Sequence, residues 1–142
     1  MTRFSEIKDE YLGDEEWEDI ALILKDAMYR LENDGWIQGN FYQNVQTGQR
    51  RYCAVGSVMA AVQIRLEHND PMRDQDAPLD AYRDNNIVHG ITQLLDDVAK
   101  RYYLLRPADG VINFNDASGT TKEDVLGVFR QALDFVHLEL GY

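Results

Sequence analysis

The stretch Trp17-Glu18-Asp19-Ile20-Ala21-Leu22-Ile23-Leu24-Lys25-Asp26-Ala27-Met28-Tyr29-Arg30-Leu31 decides the fold class. Trp17, Ile20, Ala21, Leu24, Met28 and Leu31 recur at steps of three and four, which lines them along one side of an α-helix. Asp14, Glu15 and Glu16 stand in the first turn, where carboxylates favour the positive end of the helix dipole. Asn33-Asp34-Gly35 supplies the stop, with Gly35 suited to a left-handed closing residue. The first helix is therefore expected over about 14–34, with residues 1–13 a short leading segment.

Three more segments carry a helical pattern. Residues 52–68 are rich in small side chains (Cys53, Ala54, Gly56, Ser57, Ala60, Ala61), which let another helix come close and mark this as the central helix. Residues 79–105 bear the stripe Ile87, Ile91, Leu94, Leu95, Val98 and Tyr102, with Asn85-Asn86 as an interruption. Residues 121–140 place Val125, Val128, Phe129, Ala132, Val136 and Leu140 in register behind a capping box, Thr120 as N-cap and Glu123 at the third helical position. Between the first two helices, the turn formers Gly39, Asn40, Asn44 and Thr47-Gly48 accompany Phe41, Tyr42, Val45 and Tyr52, the pattern of a small hairpin near residues 41–52. Residues 69–78 and 109–119 read as loops. The expected architecture is all-α: a single-domain bundle or orthogonal array of about four main helices within residues 1–142, with that hairpin attached.

The chain is 142 residues long and 44% hydrophobic, enough to bury one core. Its formal net charge is −11, with the acid concentrated in residues 1–34 and 69–97. Such a field repels phosphate backbones, which argues against direct nucleic-acid binding and suits a protein partner with a basic surface. No apolar run is long enough to span a bilayer, so no membrane association is expected. The N-terminal stretch Met1 to Lys8, charged at Arg3, Glu6 and Lys8 and without an apolar core, and the lone Cys53 point to the cytoplasm.

Three spots interrupt the helical pattern: Trp36-Ile37-Gln38-Gly39, Cys53, and Phe114-Asn115-Asp116. Cys53, near a helix start and behind Arg50 and Arg51, has the setting of an activated thiolate, and His89 with Asp116 or Asn115 would complete a cysteine-hydrolase set. Beside Ala54 and Gly56, packing as a small hydrophobe is the expected role instead. Arg50 and Arg51 oppose the dipole of the helix they precede, a conflict that a bound anion relieves. A nucleotide-like ligand held among Trp36, Arg50, Arg51, Asn115 and Asp116 is thus the alternative function, although Asn115 and Asp116 equally suit local Asx turns. His68, His89 and His137 lack metal-ligand spacing, and no Walker A or GxGxxG motif is present, so neither metal nor cofactor is expected. The leading reading is protein binding through the acidic face Asp14, Glu15, Glu18, Asp19 and Asp26, with Tyr11, Tyr29 and Tyr42 as aromatic anchors.

Asp34-Gly35-Trp36-Ile37-Gln38-Gly39, Cys53-Ala54-Val55-Gly56-Ser57 followed by Ala60, Phe114-Asn115-Asp116 and Thr120-Thr121-Lys122-Glu123-Asp124-Val125-Leu126 together resemble a family of small proteins of unknown function from bacteriophages and bacteria, notably actinobacteria. Its pattern is a Trp-x-x-Gly loop, a Cys-x-x-Gly-Ala stretch, and a Trp-Asn-Asp ahead of a capped Val-Leu helix. The resemblance spans about residues 17–136, with Phe114 in place of the tryptophan and Ser57 in place of the alanine. It implies a shared fold, a phage-type origin and an accessory role such as blocking a host factor. It implies no particular reaction.

Overall fold

The computed structural model describes residues 17–46, 49–67, 85–102 and 110–140. They form five helices, α1 (Trp17–Asn33), α2 (Ala54–Glu67), α3 (Asn86–Tyr102), α4 (Val111–Asp116) and α5 (Lys122–Leu140), with a hairpin of β1 (Tyr42–Gln46) and β2 (Gln49–Tyr52) between α1 and α2. The protein is mostly helical with one small antiparallel sheet, and no described helix is long and apolar enough to cross a membrane.

Of the stripe read from spacing on α1, Ile20, Ala21, Leu24 and Leu31 are buried and Trp17 and Met28 pack half-buried against the core, which Ile23 and Ala27 also join. The helix packs against α2 and α5, and α3 closes on the same two helices. Every residue of α2 from Ala54 to Gln63 is buried, the burial that its small side chains announced. Positive φ at Gly35 ends α1, as expected, and the Cγ of Arg51 lies where a side chain on that residue would go. The end of α1 is also pinned electrostatically. Arg30 is buried and donates to Asp26 at 2.9 Å, with Asp34 at 3.7 Å. Burial alone would lower its pKa, but the field of Asp26, its hydrogen bond, Tyr52 and Asp34 together hold it above the ordinary value.

Several expectations shift by a few residues, each for a local reason. The second helix begins at Ala54 and not at 52, because Tyr52 pairs with Tyr42 in the hairpin. The hairpin has the expected partners, with an irregularity between Asn44 and Gln46; its turn residues 47–48 lie outside the described residues. Asn85-Asn86 marks the start of α3. Asn85 is the N-cap of α3, its Oδ1 accepting from Ile87 and Val88, and residues 79–84 lie outside the described set. The capping box of α5 sits one residue further on: Thr121 Oγ1 accepts from the Asp124 N–H at 3.2 Å, and Asp124 Oδ2 accepts from the Thr121 N–H at 3.0 Å. Thr120 is buried instead, with its N–H on the Ala117 carbonyl. The segment read as a loop over 109–119 contains α4. Val111 and Phe114, three residues apart, are both buried, and Asp96 of α3 accepts from the Val111 N–H at 2.6 Å. Residues 14–16, part of the first helix as read from sequence, and Gly141 fall outside the described residues.

One contact fixes how the hairpin meets α2. The Phe41 carbonyl accepts from the Cys53 N–H at 3.0 Å and lies against Gly56, where an added Cβ would stand 1.8 Å from that oxygen. Gly56→Ala should therefore destabilise the protein by about 3 kcal/mol, although alanine is the better helix former by about 1 kcal/mol. Urea unfolding midpoints test this. A neutral or stabilising substitution would show that the carbonyl is free to retreat.

Candidate functional site

The three spots that break the helical pattern meet in space, and Asn115 is what joins them. Its Oδ1 accepts from Trp36 Nε1 at 2.7 Å and from the Ala54 N–H at 3.0 Å. Its Nδ2 donates to the Ile37 carbonyl and to Asp116 Oδ1, both at 3.0 Å. An amide side chain has two donors and two acceptor lone pairs, so Asn115 is saturated. Gln38 and Gly39 extend the seam. Gln38 Nε2 donates to the Asn115 and Ala117 carbonyls, both at 3.0 Å, and the Gly39 N–H donates to Asp116 Oδ1 at 2.9 Å. On the far side of the loop, the Ile37 N–H donates to the Tyr52 carbonyl and the Tyr52 N–H to that of Gly35, which lays Trp36 alongside β2 as a parallel bridge.

The start of α2 is closed in the same way. A helix begins with N–H groups that have no intrahelical partner. Here the Ala54 N–H goes to Asn115, the Gly56 N–H to Cys53 Sγ at 3.3 Å, and the Ser57 N–H to the Cys53 carbonyl at 3.0 Å. Cys53 is thus an N-cap whose sulfur takes the place usually held by a Ser or Asp oxygen. It is buried, and burial pushes its thiol up to about 11, with the Asp116 carboxylate adding to the shift and the Gly56 and Val55 N–H groups opposing it. This is the reverse of an activated nucleophile.

Of the residues expected to form a ligand site, Trp36, Asn115 and Asp116 come together, and Cys53 lies beside them. Arg50 and Arg51 do not join them through any described hydrogen bond. Arg50 is fully buried in the hairpin, with Nε on Asn44 Oδ1 at 2.8 Å and its guanidinium 4.9 Å from the Tyr42 ring centroid. Arg51 is exposed and packs at Gly35. The anion site pictured at the start of α2 is not assembled, because the N–H groups it needs are already taken. His89 is exposed on α3 and takes no part in the described cluster. Among the described residues no three His, Cys, Asp or Glu side chains gather as a metal site. Of the acidic face, Glu18 is exposed, Asp19 half-buried and Asp26 bound to Arg30, while Asp14 and Glu15 lie outside the described residues.

A family described as a family of unknown function (DUF6197) matches residues 16–135. The chain belongs to the DUF6197 family. That span holds the whole Asn115 cluster, from Trp36 to Ala117. No curated protein and no solved structure matches the chain.

Sequence reasoning missed Gln38 as a partner of Asn115, and Phe41 and Ile112 as neighbours of the cluster. The last two line a cleft of about 210 Å³ with Gly39, Asn40, Cys53 and Asp116. The signal for Ile112 was an apolar residue four positions before Asp116, which is one helical turn once α4 is recognised.

Two outcomes follow from this geometry. Asn115→Ala leaves the Trp36 and Ala54 donors and the Ile37 carbonyl without partners, a loss of about 4 kcal/mol or more, to be read as a fall in the denaturation midpoint. A change under about 1 kcal/mol would mean that water replaces the amide at little cost. Cys53 should resist alkylation in the native protein at neutral pH, with a rate that climbs about tenfold per pH unit toward about 11. Fast labelling at neutral pH, before unfolding, would reinstate it as a nucleophile.

Proposed function

We propose that this protein is a small acidic accessory protein that binds a protein partner through the outer face of α1, the partner offering a basic and partly apolar surface. The observation that carries the reading is the pair Leu22 and Tyr29, 49% and 63% exposed and seven residues apart, two turns along one helical line. A single exposed leucine needs no explanation. Two large apolar groups in line, with Glu18 and Glu32 exposed at either end, form a ridge of the kind that helix-in-groove recognition uses. Lys25 lies on the same line, and Asp19 and Asp26 flank it half-buried. Since Asp26 is held by Arg30, the charge offered to a partner comes chiefly from Glu18 and Glu32. Among the described residues, the ion-pair contact of Glu32 is a long one, 3.8 Å from Arg130 of α5. The net charge of −11 extends the attraction beyond the contact and acts on the rate of encounter.

Inhibition of a host factor, in a host cytoplasm and by a phage-encoded chain, is the setting that the motif resemblance suggests, and it forms part of the proposal. The nucleotide-like alternative draws less support, because the amide and N–H groups it would use are bonded internally.

Affinity capture at low and high salt tests the reading. The expected result is a partner retained at low salt and released at high salt. It should be lost from the double variant Leu22→Ser, Tyr29→Ser, whose melting temperature stays within about 3 °C of the parent, as surface substitutions do. Undiminished retention by that variant removes α1 as the interface.

A further inference from the structure

The cleft beside the Asn115 cluster has a mixed lining. Phe41, Ile112 and the neutral Cys53 thiol give it apolar walls, and the Asp116 carboxylate stands at its margin beside Gly39 and Asn40. Its volume of about 210 Å³ is below the roughly 300–1,000 Å³ of sites for whole small molecules, so the occupant it fits is about one side chain. The carboxylate is oriented before anything binds: both lone pairs of Oδ1 are used, one by the Gly39 N–H and one by Asn115 Nδ2. Oδ2 accepts no hydrogen bond among the described residues, and Asp116 is exposed. An apolar lining that includes one fixed anion matches a side chain with an aliphatic stem and a cationic tip. The choice between the two such side chains follows from Oδ1. Arginine is at its best when both carboxylate oxygens receive its fork, and here one oxygen is closed, whereas an ammonium needs a single acceptor.

We propose that this cleft is a receptor for one lysine side chain on an exposed segment of a partner protein, its stem lying against Phe41 and Ile112 and its ammonium on Asp116 Oδ2. The carboxylate also excludes the opposite chemistry, since a phosphate or carboxylate tip would meet Asp116. The inference stands apart from the α1 reading, which uses different residues, and either can fail without the other.

The experiment is a titration of the full chain with three capped tripeptides, Gly-Lys-Gly, Gly-norleucine-Gly and Gly-Arg-Gly, read by NMR at the Gly39 amide and the Ile112 methyl groups. Gly39 reports because its N–H is bonded to the carboxylate in question. The lysine peptide should give saturable shifts at both positions, and the norleucine peptide, with the same stem and no charge, should bind about fivefold more weakly. Asp116→Asn keeps a carbonyl oxygen for Gly39 and Asn115 but removes the charge, and should erase the preference for lysine. Equal binding of the lysine and norleucine peptides, or no shift at Gly39 and Ile112, overturns the proposal on the parent protein alone. Tighter binding of the arginine peptide overturns the single-oxygen argument. Butylamine binding as well as the lysine peptide would assign the cleft to free amines and overturn a protein partner. Retention of the lysine peptide by the Leu22→Ser, Tyr29→Ser variant separates this result from any failure at α1.

Discussion

One amide side chain holds the non-helical part of this protein in place. Asn115 gives its carbonyl oxygen to an indole and to the first N–H of α2, and its amino group to a loop carbonyl and a neighbouring carboxylate. A buried polar group is costly unless all its valences are met, and stabilising when they are. Everything the loop does depends on that condition. Trp36 can lie beside β2, the hairpin can hand over to α2 at Cys53, and α4 can exist as a helix of only six residues because one group serves all three. The close approach of the Phe41 carbonyl to Gly56 adds a steric half to the same arrangement.

This saturation redirects the search for function. Conserving its polar groups for internal bonds leaves the cluster little to offer a reactant, and the sulfur within it is a helix cap with a raised pKa. What remains available lies at its edge and on the opposite kind of surface. Asp116 Oδ2 is the carboxylate oxygen of the cluster that accepts no hydrogen bond among the described residues, whereas Oδ1 is taken by Gly39 and Asn115, and it points the chemistry toward cations. The outer line of α1 exposes apolar bulk between charges. Both features are what the proposed recognition of a positively charged partner rests on.

The helices were legible because their signal is periodic and redundant. Losing one residue from the stripe of α1 would not hide it, and the small side chains of α2 foretold its burial. The three special spots were also visible as departures from that period. Their purpose was not, since Asn115 finds three of its four partners 61 to 79 residues away and no local pattern encodes such a pairing. The capping box shows the opposite difficulty. Thr120-x-x-Glu123 and Thr121-x-x-Asp124 are equally good signatures one residue apart, and tertiary burial of Thr120 decides between them. For α4, polar Asn113, Asn115 and Asp116 outweighed the apolar pair Val111 and Phe114 in a sequence reading, although that pair is what the core holds.

The distance along the chain between Asn115 and its partners also bears on how the protein is made. A ribosome delivers Trp36, Ile37 and Ala54 long before it delivers residue 115. At about 5–20 residues per second, the 61 positions separating Ala54 from Asn115 correspond to roughly 3–12 s of synthesis. Through that interval the nascent hairpin and the start of α2 have water as their only substitute for the missing amide. The first half of the chain is therefore a waiting partner, and its native arrangement is completed from the C-terminal side.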